Sequence, residues 1–326
     1  MSILVTGAAG FIGFHLCRAL LDRDEEVVGL DDLNDYYDVA LKERRRAILE
    51  QRPEFTFQKA DVADRQALAA IFARHPTIDR IVHLAAQAGV RYSLINPYAY
   101  VHANLLGQVT IFEAARAAPK LRHLVYASSS SVYGDSTRLP FALDDRADRP
   151  RSLYGATKRS GEMIARSYAA LFNLPATGLR FFTVYGPWGR PDMSAYLFTK
   201  AILEGRPITL FNNGEMKRDF TYIDDIVSGV LAALALAPSP DETGAPHRLY
   251  NLGNHRPEPL TRFVALIEEA CGRKAEIQYA PMQPGDVPET YAEIEDSRRD
   301  LGFEPKTSID EGIPRFVAWF REYHKA

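Results

Sequence analysis

Met1-Ser2-Ile3-Leu4-Val5-Thr6-Gly7-Ala8-Ala9-Gly10-Phe11-Ile12-Gly13 opens the chain with a short apolar run that leads directly into three evenly spaced glycines and then into a helical pattern. In such a turn at a helix N-terminus, backbone N–H groups can approach a pyrophosphate. A tight turn alone explains one or two of these glycines, not three in this context. The spacing is GxxGxxG rather than the commoner GxGxxG. Roughly 20 residues further on, a second apolar run ends in Asp31-Asp32, where a carboxylate accepts hydrogen bonds from a ribose diol and repels a 2′-phosphate. The stretch therefore predicts a site for NAD rather than NADP, with Asp31 on the ribose. Asp32 and Asn34 stand beside it, and a strand-end turn is their other reading.

Working outward, apolar runs at 3–5, 26–30, 55–57, 80–84, 124–127 and 176–182 alternate with helical patterns at 11–21, 37–51, 65–73, 98–118 and 154–172. Continuous apolar strands separated by helices predict a doubly wound parallel sheet, an α/β fold of Rossmann type, over residues 1–182. Past Phe182 the regularity breaks at Gly186-Pro187-Trp188-Gly189-Arg190-Pro191. A helix at 193–203, a strand at 208–211, helices at 224–237 and 260–270, a Pro/Gly-rich loop at 281–288 and a last helix ending near Tyr323 follow. They predict a smaller C-terminal α/β substrate-binding domain over 183–326, some segments of which return to the first domain.

Composition narrows the function. The 326 residues carry 39 Lys+Arg against 42 Asp+Glu, a net charge of -3, so no global positive field exists to hold nucleic acid or an anionic membrane. The longest later apolar stretch, 230–237, ends at Pro238, far short of the ~20 residues that span a bilayer. Two cysteines, Cys17 and Cys271, make no disulfide framework, and the start lacks the basic segment of a secretory leader. A cytoplasmic protein is expected. No histidine pair has metal-ligand spacing, so no metal site is predicted, and His83 reads as a core or loop histidine. The basic run Lys42-Glu43-Arg44-Arg45-Arg46 lies in a helical pattern and reads as its solvated face.

Tyr154-Gly155-Ala156-Thr157-Lys158 sets a phenol and an ammonium four apart on one helix face. A cation near a phenol stabilises the phenolate and draws its pKa from ~10 toward the range of a useful base. The strand before it ends in Ala127-Ser128-Ser129-Ser130-Ser131, hydroxyls at the edge of the sheet where doubly wound folds bind ligands.

Together the glycine turn, Asp31, His83-Leu84-Ala85-Ala86-Gln87-Ala88, the serine strand and Tyr154xxxLys158 resemble an extended short-chain dehydrogenase/reductase, specifically a nucleotide-sugar epimerase. Residues 180–193 and 217–225 are similar to those of UDP-glucuronate 4-epimerases. The resemblance implies a tightly held NAD, regenerated each turnover, that takes a hydride from C4 of the sugar and returns it to the other face. It implies Tyr154 as base, Ser129 as proton relay on the sugar O4, and Lys158 on the nicotinamide ribose, depressing the Tyr154 pKa. Ala9, Phe11 and Ile12 fall in the pyrophosphate turn, Asp61 and Val62 at the adenine. Leu84 to Gln87, Asn104, Ala127 and Ser128 line the rest of the cofactor.

For the substrate, a UDP-sugar, the resemblance implies Arg218 on the diphosphate, Phe211 at the uracil and Asp286 on the nucleotide ribose, with Thr209 also in the substrate site. Gln87, Ser130 and Ser131 surround the sugar. UDP-glucose 4-epimerases usually carry Asn at the place of Thr183 and Arg at that of Gln283, which turns the expectation from glucose to a uronic acid. Thr183 could donate to a C6 carboxylate, with Arg190 the nearest cation and Arg91 a weaker one.

The nearest competing activity is a decarboxylase, because the C4 ketone of a uronic acid is a β-keto acid. Related decarboxylases carry an acid where Ser131 stands, which argues for epimerisation. A UDP-sugar 4-epimerase of other preference, a net dehydrogenase and a non-enzymatic NAD sensor are further alternatives; the sensor would not need Tyr154, Lys158 and Ser129 together. The helices at 98–118 and 154–172 carry apolar residues beyond one stripe, including Leu105, Ile111, Phe112, Ile164 and Leu171. With the resemblance, they imply a homodimer.

Overall fold

The first strand, β1 (Ser2–Thr6), sends Ile3 and Val5 into one hydrophobic layer and Leu4 into another, which is why its sequence is apolar without alternation. The structure, a computed structural model, describes residues 1–326. After β1 come α1 (Phe11–Leu21), β2 (Glu26–Asp31), α2 (Val39–Leu49), β3 (Phe55–Lys59), α3 (Arg65–Arg74) and β4 (Ile78–His83). Two single-turn helices, α4 (Tyr92–Ile95) and α5 (Pro97–Tyr100), lead through a π-helical turn at Val101–Leu106 into α6 (Gly107–Ala117). The chain continues with β5 (His123–Ser129), α7 (Leu153–Phe172), β6 (Ala176–Phe181), β7 (Thr183–Tyr185), α8 (Ser194–Glu204), β8 (Ile208–Phe211), β9 (Lys217–Tyr222) and α9 (Ile223–Ala235). It ends with β10 (His247–Leu252), β11 (Pro257–Pro259), α10 (Leu260–Cys271), β12 (Ile277–Ala280), α11 (Glu295–Leu301) and α12 (Ile309–His324).

Seven strands form one parallel sheet in the order β10-β6-β5-β4-β1-β2-β3, the doubly wound architecture the alternating pattern predicts. The order reverses between β1 and β4, so the crevice at their carboxyl ends is where a ligand of such a sheet belongs. Thr6 and His83 face each other at this edge, the Thr6 hydroxyl 2.7 Å from Nδ1 of a buried His83. That agrees with a core histidine.

The structure differs from the sequence reading in several places, among them the strands β7, β9, β11 and β12 and the helix α11, none of which the sequence pattern announced. The helix over 98–118 is composite, because Pro97 starts a fresh turn and the π-helical turn at Val101–Leu106 carries Asn104 toward the loop after β4. The seventh strand, β10, was not foreseen: His247 and Arg248 interrupt its apolar pattern, yet it pairs in register with β6 from Ala176 to Phe181. Beyond the main sheet, β11, β9 and β7 make a three-stranded sheet and β12 pairs in parallel with β8. Phe220 of β9 stacks on Phe263 of α10 at 3.9 Å in the core there. No helix is long and apolar enough to cross a membrane.

Candidate active site

Gly7 has φ +71°, and a Cβ there would stand 2.8 Å from the backbone nitrogen of Ala85 in the loop after β4. A Cβ on Gly13 would lie 2.0 Å from the carbonyl oxygen of Gly7. These glycines hold the turn against α1, while Gly10, as N-cap, places no side chain over the free N–H groups of the first turn. Gly10, Phe11, Ile12 and Gly13 border a cleft of about 250 Å³ that runs along the sheet edge.

At one end of the cleft Asp31 accepts hydrogen bonds from the backbone of Ala9 (3.1 Å, Oδ2) and Leu33 (2.9 Å, Oδ1). Burial pushes its carboxyl above the ordinary range, opposed by the Leu33 N–H, Lys42 and the Ala9 N–H. Asp32 closes a local turn, accepting from the backbone and amide nitrogens of Asn34 at 3.0 and 2.9 Å, though both residues still border the cleft. Asp61 and Val62 border it as well, and Asp61 is 2.6 Å from Nε2 of His102.

The solvated-face reading of the basic run at 42–46 is corrected for two of its members. Lys42 is buried beside Asp31 and borders the cleft, its ammonium donating to the carbonyl and the side-chain oxygen of Asn34. Arg45 is 0% exposed and donates through Nη1 to the carbonyl of Ala9 and through Nη2 to that of Trp188, tying the glycine turn to the loop after β7. A helical pattern of charges cannot reveal that a buried carbonyl waits within reach of a long side chain.

At the other end Ser152 caps α7 by accepting from the Gly155 N–H at 3.0 Å, and Tyr154 and Lys158 follow in the first two turns. Tyr154, Lys158, Ser129, Ser128 and Ala127 all border the cleft, with Leu84 to Gln87 opposite. Burial raises the Tyr154 phenol above its ordinary value, opposed by the Ser129 hydroxyl and the Arg190 guanidinium. Lys158 borders the cleft beside Tyr154 as expected, and its ammonium donates to the carbonyl of Ala127 at 2.9 Å. Burial alone lowers Lys158 to about 8.

The serine strand divides its hydroxyls. Ser128 borders the cleft, but its hydroxyl is spent on buried Glu162, to which it donates at 2.6 Å. Ser129 Oγ accepts from the Ser131 N–H, and Ser130 and Ser131 lie outside the cleft lining in a 3₁₀ turn. Asn104 does not border the cleft either. Its amide is spent on the carbonyl of Gln87 and the hydroxyl of Thr157, and its carbonyl accepts the Gln87 N–H at 2.8 Å, so it holds the loop that does.

The residues expected at the substrate fall in two groups. Arg190 borders the cleft together with Tyr154, and it is no surface arginine: Nε and Nη2 grip Asp192 at 2.9 and 2.5 Å. Thr183 sits with Arg190 around a small void against Phe11 and Phe220. Arg218, Asp286, Thr209, Phe211 and Arg91 are not among the residues that border this cleft. Arg218 Nη2 donates to Asp286 at 2.7 Å, and the Arg91 guanidinium lies 4.8 Å over the Phe211 ring. Sequence reasoning passed over Tyr36, whose hydroxyl donates to Asp192 at 3.0 Å across 156 positions, a separation that leaves no local signal.

A family model described as the NAD dependent epimerase/dehydratase family matches residues 3–253. The chain belongs to that family. Among relatives of this epimerase/dehydratase, the probable UDP-glucuronate 4-epimerase of Rhizobium meliloti is 48% identical over 100% of this chain and 98% of its own. UDP-glucuronate 4-epimerase 2 of Arabidopsis thaliana is 46% identical over 100% of this chain and 77% of its own. Among solved structures, the UDP-glucuronic acid 4-epimerase from Bacillus cereus in complex with UDP-glucuronic acid and NAD superimposes with a TM-score of 0.91 at 34% identity, covering 99% of this chain and 100% of that one.

The epimerase/dehydratase cleft fits NAD on its own residues. Its glycines leave no room for Cβ atoms where the turn meets α1, four positions at the α1 N-terminus face it, and the Asp31 carboxylate stands at its far end.

Proposed function

We propose that the chain inverts C4 of a UDP-uronic acid, interconverting UDP-glucuronate and UDP-galacturonate, with NAD retained in the cleft. One observation carries this reading: Tyr154, Ser129, Lys158 and Arg190 border the same cleft as the dinucleotide turn. The turn at Gly7, Gly10 and Gly13 would hold the pyrophosphate, Asp31 the adenosine ribose, Asp61 and Val62 the adenine, and Lys158 the nicotinamide ribose. Bound there, NAD supplies a reversible hydride acceptor for C4. Tyr154 takes the proton of the C4 hydroxyl and later returns one to the 4-keto sugar, and Ser129 relays it while holding O4. Arg218 and Asp286, with Thr209 and Phe211, receive the UDP moiety. Arg190, which borders the cleft with Tyr154, offers a guanidinium to the C6 carboxylate, a contact that a neutral hexose lacks.

Decarboxylation finds no unengaged acid at the reacting end. The carboxylates bordering the cleft are Asp31, Asp32 and Asp61, all at the adenosine end, and Glu162 and Asp192 are locked onto Arg180 and Arg190. When purified protein is mixed with UDP-glucuronate and no added NAD, proton NMR should show UDP-galacturonate growing in and no UDP-pentose. A pentose signal would reverse the choice between the two activities, and an unchanged spectrum even with NAD supplied would end the substrate assignment.

The homodimer rests on exposed apolar side chains. Leu94, Ile95, Tyr98, Val101 and Leu106 lie along the helices at 92–117, and Met163, Leu171 and Phe172 on neighbouring α7. Ile111 and Phe112, counted for this face from sequence, belong instead to the core. Such a patch on paired helices suits a two-fold axis, where one face meets its own copy. Tyr98→Glu combined with Leu171→Glu should convert a dimer seen by sedimentation into a monomer; a monomeric wild type would refute the assembly.

A further inference from the structure

Three loops meet over the reacting end of the cleft. Tyr36 comes from the loop after β2, Gly89 from the loop after β4, and Arg190 and Asp192 from the loop after β7. Tyr36 lies tilted on Tyr92 with ring centroids 4.7 Å apart, and its hydroxyl donates to the same Asp192 oxygen, Oδ2, that Arg190 Nη2 grips. Gly89, at φ +102°, leaves room for the cluster: a Cβ there would be 3.0 Å from the Tyr36 hydroxyl and 3.8 Å from both Arg190 Nη2 and Asp192 Oδ2. Asp192 occupies the Nε and Nη2 edge of the guanidinium, so the Nη1 edge is left for a ligand.

We propose that Asp192 and Tyr36 are positioning residues that fix Arg190 by one edge and thereby set the preference of the site for a sugar carboxylate over a sugar hydroxymethyl. The inference rests on the reading of a UDP-uronic acid as substrate. An arginine that is already clamped gives up little side-chain freedom when it takes an anion, and its planar fork rewards a fixed orientation. The bidentate aspartate also cancels much of the local charge, so discrimination comes from where the free edge points rather than from a diffuse positive field. Because Tyr36 belongs to the loop that begins at the cofactor-side Asp31, the clamp joins the cofactor half of the cleft to the substrate half.

The test is calorimetric binding of UDP-glucuronate and of UDP-glucose to wild type, Asp192→Asn and Tyr36→Phe, together with kcat on UDP-glucuronate. Circular dichroism and retained NAD serve as checks of folding. Asp192→Asn should weaken UDP-glucuronate about tenfold and Tyr36→Phe about threefold, with UDP-glucose affinity unchanged and kcat within about threefold of wild type. UDP-glucuronate binding that is unchanged or tighter in both variants, or a loss shared equally by the two sugars, overturns the proposal. Should Asp192→Asn not fold, Tyr36→Phe, which removes a single oxygen, decides the matter. A wild type that binds and turns over UDP-glucose but not UDP-glucuronate overturns the function reading and this inference with it. A wild type that prefers UDP-glucuronate, with variants that keep that preference, overturns this inference alone.

Discussion

Tyr154→Phe lowers kcat on UDP-glucuronate by about 10³-fold, with NAD content and substrate affinity within a few-fold of wild type. The ring remains to pack edge-on against Tyr100 at 6.0 Å, so the variant loses a proton carrier and little packing. No other group at that end can take over. Lys158 is held on the carbonyl of Ala127, Ser128 on Glu162, and Arg190 has no proton to exchange at neutral pH. The pH profile gives the same role a second readout. The Ser129 hydroxyl favours the phenolate of Tyr154, so Ser129→Ala raises the phenol further and moves the rising, acidic limb of kcat to higher pH. Residual kcat in Tyr154→Phe above a tenth of wild type, or an acidic limb that Ser129→Ala leaves in place, would remove Tyr154 from the chemistry.

The parts of this molecule that repeat along the chain were legible in its sequence. Strand and helix periods from Ile3 to Phe181 announce a parallel sheet, and the glycine turn and Asp31 mark its ligand edge, because each of these signals is local. What escaped depends on partners brought together by folding. Strand β10 pairs with β6 although its own pattern is mixed. Lys42 and Arg45 read as solvated because a helix sequence shows spacing but not the carbonyls of Asn34, Ala9 and Trp188 that receive them. Of the four consecutive serines, the resemblance singles out Ser129, which does border the cleft, but the 3₁₀ turn that takes Ser130 and Ser131 out of the cleft lining is not visible in the sequence.

Glu162→Gln should destabilise the protein by about 3–5 kcal/mol in denaturant unfolding, the largest stability loss expected from a single polar substitution here. Glu162 and Arg180 each expose 1% of their side chains and are joined by two bonds of 2.8 Å. Ser128 and Arg159 donate to the same carboxylate at 2.6 and 2.7 Å, and the Arg180 guanidinium also lies 4.7 Å over the Tyr133 ring. Removing the anion leaves a buried guanidinium whose Nη1 has no partner even now. Replacing both partners by apolar residues removes the orphan as well as the pair, so Glu162→Met with Arg180→Met should cost less than the sum of the single changes. The sign of the pH effect follows from the same contacts. Burial pushes the Glu162 carboxyl up, but Arg180, Ser128 and Arg159 outweigh it and hold it below the ordinary range. Its contribution is therefore complete above the titration of an unfolded glutamate and is lost as pH falls through the lower folded value. Ser128 and Arg180 are register partners across β5 and β6, so this network also fixes the strand end from which Ser129 enters the cleft. A Glu162→Gln variant as stable as wild type would show that the strands hold Ser129 in place without the ion pair.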